Sequence, residues 1–257
     1  MKDTKPLYSV LTYIVGNYET VHEIKEKSPN AEYILVTDNK ALTSSTWTVV
    51  YVDNPHPEDP FDLCYHIRFH PFNYVNTDIV IRIDGSMGVN KSLDEIVDFF
   101  NNGWDITLGI HPSRANLYDE YVAWVVQRGY DKKHAEDILN FLVRMEGYDV
   151  KNIKGLYQYN FMIQRNNRMN NLLNDLTYDY LRLLAPKDKL IERLDQTIGS
   201  FVINKYFTDM KVLPVDQRLF HGDYFTWYAH GSDVPLQFNG EMSTPYLFNE
   251  EIATVTF

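Results

Sequence analysis

A single cysteine, Cys64, stands among 257 residues, so no disulfide can form within the chain. That fits a reducing compartment and excludes the small disulfide-stapled folds. No apolar run approaches the roughly 18 residues a membrane-spanning helix needs. The opening Met1-Lys2-Asp3-Thr4-Lys5-Pro6 leads into a strand-like run without the pattern of a signal peptide. A cytoplasmic location is therefore expected, with no transmembrane segment. Any membrane association would be by peripheral contact at the inner membrane face. Positive charge is also short: 24 Lys plus Arg face 35 Asp plus Glu, a net charge of −11. That balance argues against a nucleic-acid partner. It does not argue against a small anion, which a local cluster of cations or a metal can hold.

Several catalytic signatures are missing as well. No GxGxxG follows a strand, no GxxxxGK[ST] occurs, and neither GxSxG nor HExxH is present. Dinucleotide, P-loop, α/β-hydrolase and zincin readings fall away with them. A strict Asp-x-Asp is absent too.

What is present reads as an α/β chain with enough apolar residues, 44%, for a full core. Strands are expected at Tyr8–Val15, Ala31–Asp38, Trp47–Asp53, Asp78–Asp84 and Asp105–Ile110, with helices at Glu19–Lys27 and Phe61–His70. Asn54–Pro60 holds three prolines and reads as a loop. Ser92-Leu93-Asp94-Glu95 has the spacing of a capping box, with Leu93, Ile96, Val97 and Phe100 at helical intervals and Gly103 as a stop. Strand, loop, helix and strand in that order indicate a βαβ unit and a parallel sheet. Further on, helices are expected at Leu117–Arg128, His134–Glu146, Met169–Leu184 and Asp195–Phe207, and strands at Gly155–Arg165 and Lys211–Val215. With no linker or repeat, residues 1–257 read as one domain, its nucleotide-binding half ending near Ile110 and residues 111–257 facing the acceptor.

Asp84 ends a near-continuous apolar strand and opens Asp84-Gly85-Ser86. In open α/β sheets, ligands bind beyond the carboxyl ends of strands, and a carboxylate there can hold Mg2+ or Mn2+ against a diphosphate. The structural alternative is an Asx turn.

The pattern resembles a glycosyltransferase-like family, formerly a domain of unknown function. Its members include plant proteins of cell-wall and mucilage polysaccharide synthesis and bacterial polysaccharide-locus proteins. The matching pieces are Leu11-Thr12-Tyr13-Ile14-Val15-Gly16-Asn17-Tyr18, Val36-Thr37-Asp38-Asn39 and Ile81-Arg82-Ile83-Asp84-Gly85-Ser86. They continue with His111-Pro112-Ser113-Arg114, Tyr118-Asp119-Glu120, Gly155-Leu156-Tyr157, Asn160-Phe161-Met162-Ile163 and Arg193-Leu194-Asp195-Gln196, over about residues 8–207. The last piece is one residue longer than the family's Arg-Asp-Gln. The resemblance implies a GT-A-like, Rossmann-type fold with a mostly parallel sheet flanked by helices. It also implies a nucleotide-sugar donor and a divalent cation, Mn2+ or Mg2+.

Roles can then be assigned, each beside its structural alternative. Thr12, Tyr13 and Gly16, at the end of the first strand, would face the nucleotide, or simply make strand and turn. Asp38 would take base or ribose hydroxyls, or hold a turn. Arg68 would grip a phosphate as a fork, or sit in an ion pair. His66 and His70 share a helical face and would bind metal or pack against each other. His111 and Arg114 would hold donor sugar or phosphate. Asp119 and Glu120 fall in a first helical turn, where the dipole favours acids. Asp195 would be the base in an inverting transfer, with Gln196 on the donor, or Asp195 would be an N-cap. A late histidine, His221 or alternatively His230, would complete the metal shell around Asp84. The acceptor would be a saccharide or a lipid-linked sugar. Two other functions stay open: a sugar-phosphate nucleotidyltransferase, and a non-catalytic sugar- or nucleotide-binding protein of the same fold. The Gly16-Asn17-Tyr18-Glu19 turn carries no cation to hold a triphosphate, which disfavours the first.

Overall fold

The run Tyr8–Ile14 is buried at every position and forms strand β1. A strand buried on both faces belongs inside a sheet, and β1 lies between two parallel neighbours. The computed structural model describes residues 6–111, 114–123, 125, 131–151, 155–184, 194–216 and 221–236. Along them follow β2 (Ala31–Thr37), β3 (Thr48–Tyr51), α1 (Pro60–Phe69), β4 (Ile79–Ile83), β5 (Met87–Val89), α2 (Asp94–Phe100), β6 (Ile106–Ile110), α3 (Leu117–Val122) and α4 (Lys132–Asn140). Then come β7 (Tyr157–Arg165), α5 (Arg168–Leu184), α6 (Leu194–Tyr206), β8 (Val212–Val215) and β9 (Phe225–Trp227). The expected extension of the Leu117 helix past Val125, and Pro112, Ser113, Arg193 and Phe220, lie outside the described residues.

Seven strands make one sheet in the order β3-β2-β1-β4-β7-β6-β8, with β5 and β9 as a separate two-stranded ribbon. All seven run parallel except β7, which pairs antiparallel with both β4 and β6. The mostly parallel α/β sheet expected from the sequence is therefore present. Period-two alternation divides its side chains. Val10, Ile14, Ile81, Ile83, Phe161 and Ile163 face α2 and the β5–β9 ribbon. Leu11, Tyr13, Val80 and Met162 face the helical layer that includes α1 and α6. β7, from the second half of the sequence, lies between two strands of the first, so the halves interleave. No helix among the described residues is long and apolar enough to cross a membrane.

Chain order around β1 sets the position of the ligand crevice. From β1 the chain steps outward through β2 to β3, then crosses back to place β4 on the other side of β1. The order reverses there, and it is at the carboxyl ends of the strands beside such a reversal, here β1 and β4, that open α/β sheets place their ligand crevice. Gly16 (φ 71°) and Asn17 (φ 59°) turn the chain left-handed just past β1.

Two local readings are corrected. Glu19–Lys27 is irregular, not helical. Its polar groups are claimed by distant partners: Lys25 N–H donates to Val89 O (2.9 Å), Ile24 N–H to the Thr46 hydroxyl (2.9 Å), and Trp47 Nε1–H to His22 O (3.0 Å). The Glu23 carboxylate accepts from Ser44, Ser45 and Thr46. Burial alone would raise its pKa, but those hydrogen bonds outweigh it and hold the carboxyl down to about 2. Nor does Ser92–Glu95 close a capping box. α2 has Leu93 at its N-cap with no side-chain bond, and the Glu95 carboxylate accepts from the Tyr224 hydroxyl instead. Smaller differences are ones of extent: after Asn140, the expected His134–Glu146 helix continues as a π turn, Phe141–Met145.

α6 packs closely on the sheet at Gly199, where a Cβ would fall 2.2 Å from Cζ of the buried Tyr159 ring. Gly199→Ala should therefore cost about 1–3 kcal/mol or more, read as a lower urea midpoint. In a Tyr159→Leu background most of that cost should vanish. Equal costs in both backgrounds would place the strain elsewhere.

Candidate functional site

The crevice at the ends of β1 and β4 is built around a guanidinium. Arg68 lies in the last turn of α1, where a cation suits the helix dipole. Buried Leu63, Cys64 and Ile67 fix α1 against β1 and β4, and Arg68 thereby reaches over the strand ends. Its Nε–H donates to the Tyr13 hydroxyl (2.7 Å), its Nη2 to Asp84 Oδ1 (2.8 Å), and its Nη1 to Asp195 Oδ2. The Tyr13 hydroxyl in turn donates to Asp84 Oδ1 at 3.2 Å. Beneath them Arg82, with a side chain 0% exposed, directs Nη1 at Asp84 Oδ1 (3.4 Å) and Nη2 at Tyr159 O.

Two arginines thus face two carboxylates in a cluster of zero formal charge. Burial would lower the pKa of Arg68, but Asp195 and Asp84 outweigh that and push it well up. Arg82 is lowered, by burial first and then by the charge of Arg68. Both stay cationic. Burial raises the Tyr13 phenol, keeping it a neutral donor.

Four sequence candidates, Tyr13, Arg68, Asp84 and Asp195, are therefore one bonded group. The fork of Arg68 is turned inward on two acids rather than held out for a phosphate. Asp195 sits in the first turn of α6 with its side chain 3% exposed. Its Oδ1 is buried without a hydrogen-bond partner among the described residues, as is Gln196 Oε1 beside it. Asp84 is 23% exposed.

Other candidates have structural employment. Asp38 accepts from Gly16 N–H (2.9 Å) and from Asn54 Nδ2 (3.1 Å), tying together the loops that follow β1, β2 and β3. Thr12 is buried on the opposite face of β1 from Tyr13, and its hydroxyl has no partner among the described residues. A Cβ on Gly85 would lie 2.8 Å from Tyr13 O, so this glycine admits neighbouring chain, not a ligand. Ser86 is buried, its carbonyl accepting from Tyr228 N–H (2.9 Å). His111 is buried and its Nδ1 accepts from Arg114 N–H (3.1 Å), while Arg114 pairs with the fully buried Glu120. These three form a second group behind β6. His66 and His70 stack at 4.7 Å, with His66 Nδ1 on the Tyr74 hydroxyl and His70 Nε2 on Asp175.

The C-terminal segment does return to the Asp84 loop: β9 pairs with β5, setting Trp227 opposite Met87. His221 Nδ1 accepts from Trp227 N–H (3.1 Å), and His230 Nδ1 meets the fully buried Glu19 carboxylate. Glu19 lies beside Gly85 and also accepts from Gly231 N–H (2.8 Å). Among the described residues no group of three or more His, Cys, Asp or Glu could hold a metal ion. What remains for a cation is the carboxylate of Asp84, whose Oδ2 carries no hydrogen bond among the described residues. One carboxylate supplemented by ligand phosphates and water is a fit for Mg2+ or Mn2+. A cage of protein ligands is not what these residues build.

Arg82, Tyr159 and Glu19 were not among the sequence candidates. Arg82 left a signal: an arginine inside Ile79-Val80-Ile81-Arg82-Ile83 must be buried with partners, because an unpaired charge there is too costly. A hollow of about 560 Å³ lined by Asn166, Asn167, Arg168, Asn171, Leu172 and Asp175 opens elsewhere. It follows the end of antiparallel β7, at the end of the sheet where β4 begins and opposite to the end that carries Asp84. No protein-family model matches this chain, and no curated protein does.

The segment over the Asp84 loop contains a proton-sensitive contact. His22 is buried and stacked on Tyr228 at 3.8 Å. Burial lowers its pKa, against the opposite pull of Asp233 and Glu19. Burial also lowers His66, helped by His70, and His221. In the unfolded chain these imidazoles take a proton near pH 6.5, while the folded chain resists it. The unfolded state therefore binds more protons as pH falls through that value, and stability is lost in that direction. The urea midpoint should drop between about pH 7.5 and about pH 5.5, and His22→Phe should flatten the slope. An unaltered slope in the variant would show that His22 is not a source of it.

Proposed function

We propose that this chain is a glycosyltransferase moving a sugar from a nucleotide-sugar donor to a saccharide or lipid-linked acceptor in surface polysaccharide synthesis, from the cytoplasmic side. One observation carries the reading. Two carboxylates singled out in separate sequence pieces, Asp84 and Asp195, meet through Arg68 at the switch point of a mostly parallel sheet. Such a crevice is where α/β proteins bind nucleotides.

In this reading Asp195 is the base of an inverting transfer. Its oxygen takes the proton of the acceptor hydroxyl as that hydroxyl's oxygen bonds to the anomeric carbon. The bond from that carbon to the diphosphate breaks, and the nucleoside diphosphate leaves with the electron pair. Asp84 faces the donor's diphosphate. A divalent cation, when bound there, would offset the diphosphate charge, with Asp84 its protein ligand and His221 or His230 the candidates to complete the shell. Gln196 adjoins the base and is assigned to donor hydroxyls. The turn after β1 closes the nucleotide end, with Asp38 holding it in shape.

Asp84→Ala should abolish the Mn2+-dependent part of nucleoside-diphosphate binding in calorimetry, read at a temperature where the variant is folded. It should also lower the melting temperature, because Arg68 and the buried Arg82 lose a carboxylate partner. Unchanged metal-dependent affinity would remove Asp84 from the site. His221→Ala and His230→Ala in the same titration identify a completing ligand by a loss confined to the Mn2+-dependent part.

Asp195→Asn keeps the shape of the side chain but cannot accept the proton. Transfer should fall about 100-fold or more while donor binding survives. Turnover near that of the native chain would place the base elsewhere.

A further inference from the structure

We infer that Arg68 is a positioning residue: its fork, braced on Asp84 and Tyr13, holds Asp195 by Oδ2 and so sets Oδ1 as the oxygen that takes the acceptor's proton. This rests on the transferase reading and adds a residue to it. Asp195 is nearly fully buried on α6, and its described partner is the Arg68 Nη1 donor on Oδ2. With Oδ2 bound, rotation of the carboxylate is restricted, and Oδ1, itself buried, is the oxygen left without a partner among the described residues. A buried acceptor left unpaired in this way marks a place for a donor that must enter the site to reach it.

The brace is independent of Asp195. Nε and Nη2 of Arg68 are held by Tyr13 (2.7 Å) and Asp84 (2.8 Å), and Asp84 is itself held by Arg82 (3.4 Å), whose Nη2 is anchored on Tyr159 O. The orientation of Asp195 is thereby referred to the ends of β1 and β4, the same strands that border the crevice. Only a planar fork can do this. A lysine supplies the charge and three N–H donors, but all leave one freely rotating nitrogen, so it cannot span Tyr13, Asp84 and Asp195 as the three separate nitrogens of Arg68 do. A merely neutralising ion pair would tolerate that exchange.

The test compares native chain, Arg68→Lys and Arg68→Ala for transfer from a panel of nucleotide sugars, with melting curves beside. In Arg68→Lys, kcat should fall about 100-fold, the penalty of a misplaced catalytic group, while KM for the donor changes about threefold or less. In Arg68→Ala, added guanidinium at non-denaturing concentration should restore kcat about tenfold, because it refills the vacated fork. Native kcat in Arg68→Lys overturns the inference. So does a loss of kcat in a normally melting Arg68→Ala that guanidinium leaves unchanged. Should Arg68→Ala not fold, the split between kcat and KM in Arg68→Lys decides alone. A native chain that transfers no sugar from any donor overturns the transferase reading, and this inference with it. An active native chain with an indifferent Arg68→Lys overturns only the inference.

Discussion

The contact on which the crevice depends is the Arg68 guanidinium set between Asp84 and Asp195. Removing a charge from water costs several kcal/mol, and a buried pair offsets this only with good geometry and further hydrogen bonds. Here those bonds come from Tyr13 and, through Asp84, from Arg82. The arrangement joins α1, the ends of β1 and β4, and the start of α6. A shift of any of these would leave a charge without its partner, so the elements around the crevice are locked by electrostatics as well as by apolar packing.

The rest of the architecture serves to hold that group. The opposite face of the sheet is covered by α2 and the β5–β9 ribbon, which carry no part of the charge cluster. The ribbon instead lines up the Asp84-Gly85-Ser86 turn, because Tyr228 bonds to Ser86 O and the Glu19 carboxylate is held next to Gly85. Glu19 and His22, with His230 set against Glu19, thus secure a loop over the turn. Asp84 is therefore the carboxylate on which the proposed cation site depends.

Much of the outline could be read in the residues. Apolar runs such as Tyr8–Ile14 and Ile79–Ile83 declare buried strands without reference to anything distant, and Asp84 declares itself by ending one. The interruption of an apolar strand by Arg82 was equally visible, though its meaning requires knowing that Asp84 and Tyr159 are its partners. Glu19–Lys27 failed as a helix for the opposite reason: its composition permits a helix, but Thr46, Val89 and Trp47, remote in sequence, take the groups that a helix would use internally.

Local pattern by itself therefore determined the seven strands of the main sheet, most helices, the α/β class and the candidacy of Arg68 and Asp84, since burial periodicity and strand ends are properties of short segments. Tyr13 and Asp195 became candidates mainly through the family resemblance, and β5 and β9 were not legible. Only the tertiary structure decided that these four form one group, that Asp38, Gly85, His111 and Arg114 are occupied in holding chain together, and that the fork of Arg68 faces inward. The reason is physical. Which donor meets which acceptor depends on closing loops of tens to more than a hundred residues, and the energy that closes them comes from the whole core rather than from the residues that end up in contact.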